Sequence, residues 1–424
     1  MLKNIPTRQL RIGMHIHEVC GSWLDHPFWR RGFALKDARQ LAQLQASVSE
    51  VVIDTARGLD VQADEPAQAW VDDVELPPAE AAPPALGPAP LDASPEAPAD
   101  ASNPQPQHLP LHDELGRARQ IVGAASAEVR ALFAQARLGR ALDTTQCLPL
   151  VAEITGSVQR HPGALISLAR LKTSDDYTFF HSVAVCALMV ALARQLGMGE
   201  ADCREAGIAG LLHDMGKALM PPEVLNKPGA LTPDEFATMK RHPQAGHALL
   251  QGVPGIGPIP LDVALHHHEK LDGRGYPEGL QGEQISRWAR MGAICDVYDA
   301  ITSNRPYKAG WDPAISLQKM AQWARDGHFD EALFQAFVKC VGIYPTGSLV
   351  RLRSQRLAVV VAQGVGALLQ PTVVLCLDAR TRQPLPRVLL DLGDPAVGDA
   401  IAARERPEDW GLSDVDALWL HASG

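Results

Sequence analysis

The chain has no surplus of basic residues: 39 Lys and Arg stand against 49 Asp and Glu, for a formal net charge of −10. This argues against a broad nucleic-acid-binding face, though not against a small anionic ligand in a local basic pocket. There is no C-x-x-C pair. The seven cysteines, Cys20, Cys147, Cys186, Cys203, Cys295, Cys340 and Cys376, are scattered and odd in number. They read as reduced core residues of a cytosolic protein, and none has the basic, exposed setting that activates a thiol. The opening MLKNIPTRQLRIGM lacks the apolar core of a signal peptide. The longest uncharged run, 357–377, could span a bilayer by length. Glycines, glutamines and a proline split it into two Val-rich parts, so it reads as strand, turn, strand. Neither membrane insertion nor a nucleic-acid polymer partner is expected, and a cytoplasmic location is. There is no fixed-period repeat and no recognisable receiver-type module.

With 424 residues there is room for two or three domains. Residues 1–72 read as a small α/β module. LRIGMHIHEV alternates like a strand, KDARQLAQLQASV has helical spacing, and EVVIDT is a short apolar strand. His15, His17 and His26 read as strand-face or loop residues there. Residues 73–110 carry eleven prolines between Pro77 and Pro110, mixed with Ala, Asp and Glu. Such a tract buries too little apolar area to offset its ordering entropy and is expected to be a disordered linker. Residues 111–345 are helical in pattern, with helices expected over 114–139, 179–197, 201–219, 233–251, 260–269, 286–303 and 313–324. Residues 346–424 read as a β-rich extension.

Polar residues interrupt these apolar helices at regular intervals. His181, the pair His213–Asp214, His242, the pair His267–His268, and Asp296 follow one another 25 to 32 residues apart. Each gap is one helix plus one connection, so these side chains can converge inside a bundle, where helical proteins build metal sites. A lone His or Asp in a helix is more often structural. Seven at helix-sized gaps, with two adjacent pairs, are not explained that way. Imidazole with carboxylate suits Mn, Fe or Zn. Seven ligands exceed one tetrahedral ion and suffice for two sharing a carboxylate. Lys217, a turn beyond His213 and Asp214, falls on their face. Two divalent ions lower the pKa of a bridging water and stabilise charge at a phosphorus centre. Their charge exceeds that of Asp214, Asp296 and one hydroxide, which leaves a net positive site in an acidic protein.

The stretches HDMGK, HHEKLDGRGYPEGLQGEQI and DVYDAITSNRPYK, with the closing IYPTGSLV, resemble the HD-GYP subgroup of the HD metal-dependent phosphohydrolases over about 170–350. GSWLDHPFWRRGF and VVIDTARGLDV resemble the small N-terminal domain often fused to such units. The resemblance implies an HD-type helical bundle with a small α/β N-terminal regulatory domain, and with the short β-rich C-terminal extension read above the protein is expected to be mainly α. The resemblance also implies hydrolysis of cyclic di-GMP, a bacterial second messenger, to linear pGpG and in some members on to GMP, by a metal-bridging hydroxide. A two- or three-metal centre of divalent ions, usually iron or manganese, is implied. His181, His213, Asp214 and Asp296 would hold one metal, and Asp214, His242, His267 and His268 the other. The family's HHE aligns with His267, His268 and Glu269, which leaves His266 outside. Lys217, with Asp214, would serve catalysis at the nucleophile or scissile phosphate. Arg305 and Lys308 would hold substrate phosphates, and Tyr276 of Gly275-Tyr276-Pro277 would line the site.

Members with a third metal carry a glutamate where this chain has Tyr177, and Asp175 and Asp176 are out of register. A two-metal centre is therefore expected. Glu269 and Asp272 read either as groups that orient ligands or as loop caps. The implied partners are cyclic di-GMP and signalling proteins such as diguanylate cyclases, with a homodimer also compatible. The alternatives are hydrolysis of another nucleotide, against which the GYP loop argues, and a receptor or adaptor of low activity, whose mark would be missing ligands.

Overall fold

The computed structural model describes residues 2–6, 14–20, 33–35, 50–54 and 57, and those from 111 onward except 146, 171–176, 228, 230, 304–309, 365–367, 413–414, 416–417 and 419–424. It divides into two compact units. The first holds β1 (Leu2–Pro6), β2 (His15–Cys20), β3 (Phe33–Ala34) and β4 (Glu50–Asp54). They form an antiparallel sheet in the order β1-β4-β2-β3, with Ile5 opposite Val51 and Val19 opposite Val51 from the other side. Met14, Leu35 and Ile53 are fully buried. β2 and β4 match the sequence reading, whereas β1 was not expected. It is five residues long and ends in proline, which is tolerated at the edge position β1 occupies. The helix expected over 36–48 and the linker over 73–110 lie outside the described residues.

The second unit starts with α1 (Leu111–Arg137), α2 (Cys147–Arg160), α3 (Pro162–Arg170), α4 (Tyr177–Gln195) and α5 (Glu200–Leu212). A 3-10 turn over Met215–Leu219 follows, then α6 (Pro222–Leu225), α7 (Pro233–Met239), α8 (His242–Gln251) and α9 (Pro258–His266). The bundle ends with α10 (Arg287–Thr302), α11 (Pro313–Arg325) and α12 (Glu331–Val341). Two expected helices are broken. The segment 201–219 stops at Leu212 and re-forms as the 3-10 turn, and 233–251 is interrupted between Met239 and His242. Pro243 sits in the first turn of α8, where its missing N–H costs nothing, so it favours a helix start there over continuation from α7.

α4 is the central helix. Val183, Cys186, Ala187 and Val190 pack into one apolar cluster, and Val185, Leu188, Met189 and Leu192 into a second. A helix buried on all sides shows no amphipathic stripe. Residues Thr178–Gln195 are long and apolar enough to cross a membrane, but most of that window is buried inside the protein. α5 lies against α4 at close range. A Cβ on Gly210 would come within 2.8 Å of both Cys186 Cα and Val185 O, so only glycine permits this approach.

β5 (Leu349–Leu352), β6 (Arg356–Ala362), β7 (Thr372–Asp378), β8 (Leu389–Asp391) and β9 (Ile401–Arg404) form an antiparallel sheet ordered β8-β7-β6-β5-β9. The 357–377 run is thus strand, turn, strand, with Val359 opposite Val374. Leu357, Val359 and Val361 join the helical core, while Ala358 and Val360 pack with Val350, Leu352, Val373 and Leu375 on the other face. A strand covered on both faces reads as a continuous apolar run, which is why this segment mimics a membrane span. Cys147, Cys186, Cys203, Cys295, Cys340 and Cys376 are free, and burial pushes the Cys147 and Cys340 thiols up to about 12, which leaves them unreactive.

Replacing Gly210 by alanine forces α4 and α5 apart. The expected cost is about 1–3 kcal/mol of stability, read as a lower denaturation midpoint. An unchanged midpoint contradicts the close approach.

Candidate metal centre

The seven residues singled out by spacing meet in one place. All are at most 8 % exposed. The ligand atoms of Asp214, His242, His267 and His268 lie within 4.8 Å of one another, as do those of His181, His213 and Asp296. Helix ends make this possible. His213 and Asp214 occupy the junction between α5 and the 3-10 turn, His242 opens α8, and His267 follows the last residue of α9. Side chains at chain reversals can turn to one point, which neighbours inside a helix, about 100° apart, cannot. His181 and Asp296 project from inside α4 and α10. Gly216 lets the 3-10 turn press on α8: a Cβ there would sit 1.9 Å from the His242 carbonyl oxygen.

The hydrogen bonds around the imidazoles define their inward face. His213 Nδ1–H donates to Gly210 O, His242 Nδ1–H to Met239 O and His267 Nδ1–H to Val263 O, each at 2.8 Å. His181 Nδ1–H donates to Asp299 Oδ2 at 2.6 Å. A carbonyl or carboxylate can be met only by an N–H, so in the neutral ring each Nε2 keeps its lone pair. These lone pairs face other acceptors. His242 Nε2 is 3.4 Å from His267 Nε2, and His181 Nε2 is 2.9 Å from Asp296 Oδ1. His213 Nε2 and Asp214 Oδ1 are buried without a hydrogen-bond partner. Acceptor against acceptor in a buried site calls for cations between them. The donor set therefore fits divalent metal.

Asp214 stands between the two groups. Its Oδ1 is 3.3 Å from His242 Nε2 and 3.8 Å from His267 Nε2. Its Oδ2 is 3.5 Å from His181 Nε2 and 3.3 Å from His213 Nε2. One carboxylate thus presents one oxygen to each set. Lys217 Nζ donates to Oδ2 at 2.7 Å.

Burial opposes ionisation of Asp214, yet Lys217 and His213 hold its carboxyl well below the usual range. Burial also opposes Asp296, and hydrogen bonds with His181 and His213 outweigh it, so that carboxyl lies well below its usual range too. Burial, then the charge of His213, drives His267 down to about 3. Burial with His267 and His242 lowers His268 far below the usual histidine range. His213 runs the other way: burial lowers it, but Asp214 and Asp296 push it up to about 10. The carboxylates stay charged and His267 and His268 neutral, the state in which each binds metal. The two carboxylates beside His213 thus favour positive charge at that position.

Around this core, the Tyr276 ring stacks on His268 with centroids 4.8 Å apart, beside a cis Tyr276–Pro277 bond. Glu269 accepts the backbone N–H groups of Glu278, Gly279 and Leu280 at 2.7, 3.1 and 3.0 Å. Asp272 accepts from Arg274 N at 2.9 Å. The two acids are loop caps, which resolves the alternative that the sequence left open. His266 turns to Asp262, 2.8 Å away, and not to the centre. Arg305, Lys308, Asp175 and Asp176 lie outside the described residues, and Tyr177 begins α4.

Sequence reasoning missed Asp299. It is 3 % exposed, accepts from His181 and takes the Ser303 hydroxyl on its other oxygen at 3.1 Å. Its place one helical turn after Asp296 in DVYDA was the available signal. Asp299 also lines a cavity of about 240 Å³ with Ile166, Leu188, Thr346 and Gln363, and none of the seven clustered residues does. Asp299→Ala frees the His181 ring. It is expected to weaken metal binding about 10–100-fold, measured by competition with a chelator. Undiminished affinity contradicts the positioning role.

Residues 157–333 match the family model of the HD domain, and residues 2–147 that of a domain of unknown function, DUF3391. The chain is 49% identical over 421 residues to the cyclic di-GMP phosphodiesterase PA4108 of Pseudomonas aeruginosa, covering 99% of this chain and 96% of that protein. It is 42% identical over 173 residues to the cyclic di-GMP phosphodiesterase response regulator RpfG of Xanthomonas campestris, across 40% of this chain and 45% of the other. It is 35% identical over 176 residues to the 3′3′-cGAMP-specific phosphodiesterase 1 of Vibrio cholerae, across 42% and 41%. Among solved structures, Bd1817, an HDG"Y"P protein from Bdellovibrio bacteriovorus, aligns with a TM-score of 0.45 at 16% identity, over 80% of this chain and 99% of that one. With its histidines and aspartates gathered around Asp214 and a relative matched almost end to end, the chain belongs to the HD-GYP branch of the HD metal-dependent phosphohydrolases, joined to a DUF3391 domain.

Proposed function

We propose that the protein hydrolyses cyclic di-GMP to linear pGpG in bacterial second-messenger signalling. The observation that carries this reading is the Asp214 carboxylate, with one oxygen toward His242 and His267 and the other toward His181 and His213. That is the arrangement a bridging ligand needs. In this reading His181, His213, Asp214 and Asp296 would hold one metal, and Asp214, His242, His267 and His268 would hold the second. Iron or manganese suits the mixed imidazole and carboxylate set. Such a pair, when bound, supplies an activated water and neutralises charge at the phosphorus.

The side chains divide the remaining work. Lys217, held by Asp214, presents an ammonium beside the attacked phosphate and offsets charge in the transition state. Tyr276 forms a wall over His268. Arg305 and Lys308 grip substrate phosphates, the guanidinium as a planar fork and the ammonium as a point charge. Tyr177 in place of a third-metal glutamate favours a product of pGpG over GMP. The near full-length relative is named for cyclic di-GMP and the 35% relative for 3′3′-cGAMP, which favours the former substrate.

In the same reading, residues 111–345 are catalytic, 1–72 regulatory, 73–110 a linker and 346–424 a β-rich extension. The enzyme works in the cytoplasm, and signalling proteins such as diguanylate cyclases are its candidate partners.

Two variants test this assignment. Asp214→Ala is expected to lose both metal and turnover of cyclic di-GMP, followed by chromatography of the nucleotides; retained turnover overturns the placement of the centre. Arg305→Ala is expected to keep its metal and raise KM about tenfold or more, the worth of a charge-assisted hydrogen bond. An unchanged KM removes Arg305 from substrate binding.

A further inference from the structure

Lys240 stands at the turn between α7 and α8, two residues before His242, and nothing in the reaction as described uses it. It is half-buried, and no carboxylate pairs with it among the described residues. Two aromatic rings hold it instead. Its Nζ lies 4.4 Å from the Phe236 ring centroid and 5.1 Å from that of Tyr276. The Tyr276 ring in turn stacks on His268, so one ring separates the ammonium from the metal-binding cluster. Lys217, by contrast, is committed to Asp214.

The Lys240 ammonium has no carboxylate partner among the described residues, so its charge is available to an anionic ligand. The two ring faces fix the direction of the stem. A cyclic dinucleotide carries two phosphodiesters on opposite sides of its sugar–phosphate ring. When one lies over the metal-binding cluster, the other projects to the side, where a cation beside Tyr276 can add to the hold of Arg305 and Lys308.

We propose that Lys240, oriented by Phe236 and Tyr276, binds the second, non-reacting phosphate of the cyclic dinucleotide. This rests on the cyclic di-GMP reading above. Lys240 then sets selectivity for a substrate with two linked phosphates over a simple diester, and it takes no part in bond breaking. Tyr276 acts as the positioning residue between this cation and His268.

The test compares wild-type protein with Lys240→Met, which keeps the stem between the rings and removes the charge, and with Lys240→Arg, which restores it. Calorimetry on the metal-loaded full chain reads cyclic di-GMP affinity independently of turnover. Hydrolysis of bis(4-nitrophenyl) phosphate, which has one phosphate, reports on the centre alone. In Lys240→Met, cyclic di-GMP binding is expected to weaken and KM to rise about tenfold. kcat on cyclic di-GMP and the rate on the simple diester should stay within about twofold, and Lys240→Arg should recover most of the affinity. Equal affinity in Met variant and wild type overturns the proposal. So does an equal loss on both substrates, because Lys240 would then act only through the packing of Tyr276. Wild-type binding without hydrolysis would defeat the proposed reaction while leaving the Lys240 comparison decisive.

Discussion

The site depends on an outward anchoring of imidazoles. Three backbone carbonyls and the Asp299 carboxylate take the Nδ1–H of His213, His242, His267 and His181. In the neutral rings that leaves four Nε2 lone pairs facing inward around two buried carboxylates, Asp214 and Asp296. Such a cluster without cations sets acceptors against each other at 2.9 to 3.4 Å. Protein interiors rarely tolerate that arrangement. The surrounding helices must therefore hold it against its own repulsion, and the demand for positive charge follows from hydrogen bonding alone.

This explains features of the fold that otherwise look like irregularities. α5 ends at Leu212 and α9 at His266, and a fresh helix begins at His242, so the side chains at these ends can be aimed where those in helix interiors cannot. The carbonyls that anchor the rings lie in the turns just before them, and Val263 O takes the backbone N–H of His267 as well as its ring. Gly210 and Gly216 set the close approach of α5 to α4 and of the 3-10 turn to α8. Glu269 performs a parallel task for the GYP loop, gathering three backbone N–H groups so that Tyr276 covers His268.

Much of this was legible in the sequence because its signals are local or periodic. The seven clustered residues stood out as polar interruptions at helix-sized gaps, and the two Val-rich halves of 357–377 announced paired strands. What was missed depends on tertiary context. Asp299 resembles any helix aspartate until His181 is seen beside it. The breaks after Leu212 and Met239 are invisible to apolar periodicity, because 3-10 and α segments share buried residues across the junction. Lys240 reads as an ordinary surface lysine until the GYP loop brings Tyr276 over from 36 residues away. β1 was too short and too polar to register by alternation. It gains its place only by pairing with β4.

The central claim is a pair of cations bridged by Asp214. Its most direct measurement is elemental analysis of full-length protein purified without oxygen. The account predicts two equivalents of iron or manganese per chain. One equivalent, or three, would contradict it.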